Sequence, residues 1–233
     1  MNLAIIIARK NSKRLKNKNL LKIGKHSLIQ LSLIEALKVR RFHRIIINTD
    51  IKNIKNHFKF LKKKNFRKLI FIKRKPRLSG DKAKAVSVVL DSIKKLNNPK
   101  LSTVTLLLPT CPLRKANDIN SGLDALKKNI STVISISKAD FPPQFYFNKS
   151  SNQLLKPVYK NSPLLKNETR MQKIPESYRP NGAFYISWIK KIKKNKNLFK
   201  GKIAGVVMPS KRSIDIDTYE DLKLARAIFK NKI

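Results

Sequence analysis

The first twenty residues, MNLAIIIARKNSKRLKNKNL, constrain the chain most, because an unbroken apolar run ends abruptly in a loop dense with positive charge. Leu3 to Ala8 lacks the alternation of a strand with one wet face and is too short for most helices. It therefore reads as a strand buried on both faces, as in parallel sheets covered by helices. From Arg9 to Lys25 there are eight basic side chains (Arg9, Lys10, Lys13, Arg14, Lys16, Lys18, Lys22, Lys25) and no acid. Asn11, Ser12, Asn17 and Asn19 lie among them as residues that favour turns. A buried strand feeding such a loop, ahead of a helix, is where open α/β sheets bind phosphorylated ligands. Taken alone, the loop is equally a solvated basic turn.

The pattern then repeats. His26 to Val39 carries Leu28, Leu31, Ile34 and Leu37 at helical spacing and is expected to be the first crossover helix. Arg44 to Asn48 reads as a second buried strand ending in Thr49-Asp50, followed by a helix through Phe60, and Leu69 to Ile72 as a third strand. Pro76 and Gly80 break the stretch KRKPRLSGD, and a helix is expected over Asp81 to Leu96. Thr103 to Leu108 is a strand running into PTCPLR, where Pro109 and Pro112 force an extended turn, a second candidate site element. A helix over Asn117 to Lys128 and strands over Ser131 to Ser137, Gly182 to Ser187 and Lys202 to Val207 follow. Thr218 to Phe229 closes the chain as a helix, with Thr218 and Asp221 spaced as a capping box. This alternation implies an α/β fold of three layers, a mostly parallel sheet with helices on both faces.

A chain of 233 residues is long enough for one such core, so 1–233 is read as a single domain. Residues 141–180 break the rhythm with clustered prolines and aromatics. A structureless loop of that length is improbable in a compact domain, so the segment reads as an excursion that covers a site or meets a partner subunit, with local core as the alternative.

Composition excludes several classes. No segment is long and apolar enough for a membrane span, and the N-terminus lacks the layout of a signal peptide, so a cytoplasmic protein is expected. The single cysteine, Cys111, has no intrachain partner, and His26, His43 and His57 have no metal-ligand spacing with it. The formal charge of +41, from 54 Lys and Arg against 13 Asp and Glu, ordinarily points to nucleic acid. Here the lysines occur in nearly every surface segment rather than one stripe, and no RNA-binding or zinc-finger motif accompanies them. A nucleic-acid partner is therefore not expected, although a general attraction for anions is.

Four of the 13 acids fall within Asp215 to Asp221. In an extended SIDID segment, Asp215 and Asp217 leave one face while Ile214 and Ile216 point into the core. Two such carboxylates make a hard-oxygen site suited to Mg2+. Asp217, Glu220 and Asp221 are alternatively explained by a favourable helix N-terminus, which leaves Asp215 without a reason.

With these residues in place, the sequence resembles the acylneuraminate cytidylyltransferases. ARKNSKRLKNKNL is similar to the family's first loop and LPTCPLR to its proline-flanked strand end. RPNGAFYI and SIDIDTYEDL are similar to its later sugar-site and metal-site motifs, and all four run in family order. The resemblance implies a Rossmann-like nucleotidyltransferase fold and attack by a 2-keto sugar acid on the α-phosphate of CTP, giving the CMP-sugar and pyrophosphate. It implies that Arg9, Ser12, Lys13 and Lys18 hold the phosphates, with Asn19 beside the nucleotide and Arg74 and Ala83 facing the cytidine. Asp215 and Asp217 would hold Mg2+, and Arg9, Lys18 and Asp217 would carry the chemistry. Arg170, Asn181 and Tyr185 would meet the sugar acid. The other five cations of the first loop are read as part of the general lysine excess. The family is dimeric, so a homodimer through 141–180 is implied. Leu108 stands where many relatives carry a sugar-bonding glutamine, which leaves N-acetylneuraminate, legionaminate, pseudaminate or another nonulosonic acid open as acceptor. A Kdo or other sugar nucleotidyltransferase of the same fold is the enzyme alternative, and a basic nucleic-acid-binding protein the other.

Overall fold

The computed structural model describes residues 1–170 and 174–231. Its elements in chain order begin with β1 (Asn2–Ala8), a small hairpin of β2 (Lys22–Ile23) and β3 (His26–Ser27), α1 (Leu28–Lys38) and β4 (Phe42–Thr49). Then come α2 (Lys63–Phe66), β5 (Leu69–Lys73), α3 (Ala85–Leu96), β6 (Thr103–Leu107), α4 (Ala116–Ala125) and β7 (Thr132–Lys138). The chain finishes with β8 (Phe147–Lys149), β9 (Leu155–Pro157), β10 (Tyr178–Trp188), α5 (Ile189–Asn195), β11 (Ile203–Val207) and α6 (Tyr219–Lys230).

Seven strands form the central sheet in the order β11-β7-β10-β6-β1-β4-β5. All neighbours pair in parallel except β10, which runs antiparallel to both β6 and β7. The pleat of β1 divides the core. Ala4, Ile6 and Ala8 pack with Ile29 and Leu33 of α1 and Ile119 and Leu123 of α4. Leu3 and Ile5 face the other way, onto Val89 and Ile93 of α3 and Ile189 and Ile192 of α5. Both faces of the sheet are therefore covered, which is why its strands read as continuous apolar runs. The expected three-layer α/β fold is what the chain adopts.

A third apolar cluster positions the end of the chain. Ile216, Leu222 and Ala225 pack on Ile23, Leu28 and Leu31, so α6 and the segment before it seat against the β2–β3 hairpin and the start of α1. The Thr218–Asp221 capping box forms, with Asp221 N donating to Thr218 Oγ1 at 3.2 Å and Thr218 N to Asp221 Oδ2 at 2.8 Å.

Several expectations need correction. The helix expected through Phe60 is a 3-10 turn at Ile54–Phe58 followed by the four-residue α2, because Asn53 adopts φ 51° and redirects the chain. The first crossover helix starts at Leu28, since Gly24 (φ +57°) turns the preceding hairpin and Ser27 N donates back to Gln30 Oε1 at 2.7 Å across the first turn. The segment at 213–217 has no place in the sheet and is tied to the loop after β6 by Ile216 N donating to the Thr110 carbonyl at 2.8 Å. Within 141–180 the β8–β9 hairpin leaves Leu154 and Leu155 exposed, while Phe145 is buried. Residues 171–173 of that excursion lie outside the described residues. Among the described residues, no helix is long and apolar enough to cross a membrane.

Candidate active site

Strand order places the site. From β1 the chain builds outward to β4 and β5, then α3 carries it back so that β6 pairs with the opposite side of β1. The sheet thus reverses its winding at β1, and a crevice opens between the loops following β1 and β6, where open α/β sheets bind ligands. A cavity of about 270 Å³ lies there, lined by Arg9, Ser12, Lys18 and Asn19 on one side. Arg74, Leu78, Gly80, Asp81 and Ala83 form a second wall, and Leu108, Pro109 and Thr110 a third. Six of the seven residues expected around the nucleotide line this cavity. The seventh, Lys13, is at its mouth and pairs with Asp81 at 2.7 Å.

The basic loop is shaped by short polar contacts. Asn19 is buried, and its amide donates to the Arg9 carbonyl at 2.9 Å, tying the loop's two ends together. Lys10 N donates to Asp50 Oδ1 at 2.6 Å, anchoring the loop to the end of β4. Asp217 accepts from Lys18 Nζ at 2.7 Å and from Arg14 Nη2 at 2.6 Å. Arg14 therefore does not belong to the general excess of cations, as the sequence suggested. The pairing is between residues about two hundred apart in sequence, so no local pattern announces it.

In the second wall, Arg74 is buried. Its Nε donates to Asn48 Oδ1 at 3.0 Å and its Nη2 to the Asn48 carbonyl at 2.8 Å, while Asn48 Nδ2 donates to Ser92 Oγ at 2.8 Å. Burial lowers its guanidinium to about 10, with Asp50 opposing that shift and Arg9 adding to it. This chain of bonds fixes the wall segment to β4 and α3.

The third wall depends on Arg114, which sequence reading passed over. Fully buried, it donates from Nη1 to the carbonyls of Leu108 (2.7 Å), Cys111 (2.8 Å) and Ala183 (3.0 Å), and from Nη2 to Ser32 Oγ. Burial lowers Arg114 to about 10. One guanidinium thus joins the loop after β6 to β10 and to α1. Cys111 Sγ is buried beside it, donating to the Asn181 carbonyl at 2.6 Å, and burial pushes this thiol up to about 12.

The carboxylates expected to hold Mg2+ differ from one another. Asp215 is raised above the ordinary carboxylate range, chiefly by burial and further by Asp217, while a hydrogen bond from Thr110 opposes the rise. Burial also acts to raise Asp217, but hydrogen bonding and charge from Lys18, with the charge of Arg14, hold it below that range. Among the described residues no cluster of three or more His, Cys, Asp or Glu could form an all-protein metal cage. A magnesium ion ordinarily takes one or two carboxylates and completes its shell with water and substrate phosphate, so this two-acid donor set fits it. The charge of Asp217 also acts to raise Asp215, an unfavourable pairing that a cation between them would offset.

The residues expected around the sugar are not gathered in one wall. Asn181 is buried within an irregularity of β10 between Pro180 and Tyr185, and its amide is spent on Ser213 Oγ at 2.8 Å. Gly182 follows at φ +76°, and a Cβ there would stand 3.5 Å from Asp215 Oδ2, so the irregular strand brings backbone close to that carboxylate. Tyr185 is largely buried edge-on against Phe199 and raised by burial first, then by Asp215. Arg170 is exposed beyond the turn Pro163–Lys166 and does not line the cavity at the crevice. A second cavity of about 450 Å³ is lined by Asp215, Arg179, Asp140, Lys211 and Ser213.

Residues 3–228 match a family described as cytidylyltransferase. The chain is 29% identical over 234 residues to a pseudaminic acid cytidylyltransferase of Campylobacter jejuni, covering 98% of this chain and 96% of that one. It is 28% identical over 233 residues to a CMP-N,N'-diacetyllegionaminic acid synthase of Legionella pneumophila, again covering 98% and 96%. A solved CMP:2-keto-3-deoxy-manno-octonic acid synthetase complexed with CTP superposes at a TM-score of 0.69 with 16% identity, covering 100% of this chain and 99% of that one, a likeness of fold.

Proposed function

Because the chain belongs to the cytidylyltransferase family, we propose that it transfers the cytidylyl group of CTP to a nonulosonic acid, releasing pyrophosphate. One observation carries this reading. A single crevice at the winding reversal holds Arg9, Ser12, Lys18 and Asn19 opposite Arg74 and Ala83, with Asp217 bonded to Lys18 at its edge.

In such a transfer the acceptor's anomeric oxygen forms a bond to the α-phosphorus while the bond to the β-phosphate oxygen breaks, and charge builds on the phosphate oxygens. Arg9, Lys13 and Lys18 are placed to neutralise that charge, and Ser12 to donate a hydroxyl beside them. Asn19 keeps the loop in the shape that aims these groups. The wall at Arg74 and Ala83 seats the cytidine. Asp215 and Asp217 would hold Mg2+, which supplies charge neutralisation at the triphosphate when bound. The acceptor belongs on the Asp215 side. There Tyr185 offers an aromatic wall and the second cavity adds Arg179 and Lys211 as cations suited to a carboxylate, while the exposed guanidinium of Arg170 in the 141–180 excursion is a further carboxylate partner.

The relatives' names support an acceptor of the pseudaminate or legionaminate type within the nonulosonic acids. The exposed Phe141, Tyr146, Leu154, Leu155 and Leu165 of the 141–180 excursion support a homodimer through that segment. To test the function, the purified protein is incubated with CTP, Mg2+ and, separately, pseudaminic, legionaminic, N-acetylneuraminic and 2-keto-3-deoxy-manno-octonic acids. Mass spectrometry is expected to find a CMP-sugar with one of the first three. A CMP-sugar formed only with the fourth would move the acceptor to the alternative branch, and none with any would refute the reading.

A further inference from the structure

Asp81 belongs to the wall segment between Arg74 and Ala83, yet its carboxylate reaches across the mouth of the cavity to the basic loop. One oxygen bonds Arg9 and the other Lys13, at 2.7 Å in the second case. These are two of the three cations that the proposed function assigns to the triphosphate. The carboxylate is 42% exposed and Lys13 is 79% exposed, so the bridge spans the entrance rather than the floor.

A carboxylate gripped by a guanidinium and an ammonium satisfies the same groups that a phosphate would, with charge-assisted bonds to anionic oxygens. A polyphosphate that takes Arg9 and Lys13 must break both bonds. It also brings its own negative charge beside Asp81, and like charges at that distance repel. The segment has room to yield, since nothing stands within 4 Å of the position a Cβ would take on the adjacent Gly80.

Resting on the cytidylyltransferase reading, we propose that Asp81 is an internal competitor for the phosphate-binding cations, a latch between the two walls that an entering nucleotide opens. An intramolecular carboxylate acts at an effective concentration of about millimolar. Small weakly held anions are thereby kept off Arg9 and Lys13 in so basic a chain. A triphosphate displaces the latch because it also engages Lys18 and Ser12, which Asp81 does not touch. Asp217 makes a comparable pair of contacts with Lys18 and Arg14, but with nucleotide bound its carboxylate would have a cation of its own to hold, the proposed Mg2+.

The test is Asp81→Asn, which removes the charge at nearly constant volume, with Asp81→Ser as a second variant and circular dichroism to verify the fold of both. Dissociation constants for CTP and for inorganic pyrophosphate are measured by calorimetry at low ionic strength. Exposed ion pairs of this kind are weak, so both variants are expected to bind both ligands about three- to tenfold more tightly than the parent chain. Equal or weaker binding by the folded variants would show that Asp81 orients the cations instead of competing for them, and would overturn the latch alone. A parent chain that binds neither CTP nor pyrophosphate would overturn the phosphate reading and the latch together.

Discussion

Replacing Arg114 by methionine tests how the loop after β6 is held. The substitution roughly preserves side-chain length and removes a fully buried charge, so two opposing contributions must be weighed. Against the native residue stands its desolvation, visible in a guanidinium lowered to about 10 by burial. In its favour stand the carbonyls of Leu108, Cys111 and Ala183 and the Ser32 hydroxyl, which all accept from it. Leaving a buried acceptor without a donor costs about 1–3 kcal/mol each. Leu108 keeps a weak bond from Cys111 N at 3.3 Å, which leaves the other two carbonyls as the principal losses. After part of the desolvation is recovered, the net loss is about 3 kcal/mol. In a chain of this length that lowers the thermal midpoint by about 6–12 °C. Arg114→Lys is expected to restore less than half, because an ammonium cannot reach acceptors on β10 and α1 through one planar fork. Calorimetric or circular dichroism melts measure this directly. A methionine variant as stable as the parent would refute the idea that this buried guanidinium fastens the loop.

Further outcomes follow from the division of the site. Lys18→Ala is expected to raise the CTP requirement about tenfold or more with little change in acceptor dependence, whereas Arg170→Ala is expected to raise chiefly the acceptor requirement; steady-state kinetics with each substrate varied would expose a reversed pattern. Asp91 forms ion pairs with Lys75 at 3.2 Å and Lys95 at 3.3 Å; burial acts to raise its carboxyl, but these lysines outweigh burial and hold it below the ordinary 3.8. A carboxyl depressed in the folded state stabilises above its unfolded value and loses that contribution as pH falls through its folded one. Asp91→Asn should therefore lower stability by about 1 kcal/mol at neutral pH. In denaturant titrations from pH 7 to pH 2.5 the difference should shrink below about pH 3.8; a difference that grows on acidification would contradict the assignment.

The architecture was legible because burial on both faces of a parallel sheet leaves continuous apolar runs, and LAIIIA, RIIIN and TVTLL carry that signal. The antiparallel insertion of β10 between β6 and β7 was not, because strand direction depends on long-range connection and leaves no mark in periodicity. Within the site, residue types were more legible than their partners. The cations of the first loop and the SIDID acids stand out by local density. That Arg14 and Lys18 meet Asp217, and that Arg9 and Lys13 meet Asp81, comes from tertiary packing of α6 and of the wall segment. Asn181 lies in a motif visible in the sequence, but that the irregularity in β10 turns its amide inward onto Ser213 is again set by tertiary packing. Arg114 sat inside a motif already singled out and was missed because arginines are rarely fully buried, and nothing local distinguishes one that is.

In the proposed function the basic loop and the Asp215–Asp217 pair act together as one transfer site. The measurement that tests it most directly is the rate of pyrophosphate release from CTP, with Mg2+ and a nonulosonic acid, by the parent chain and by Asp217→Asn. The claim predicts release by the parent only when the acceptor is present, and loss of most of that rate, about a hundredfold or more, in a variant whose melting is nearly unchanged. Pyrophosphate release by Asp217→Asn at the parent's rate would contradict it.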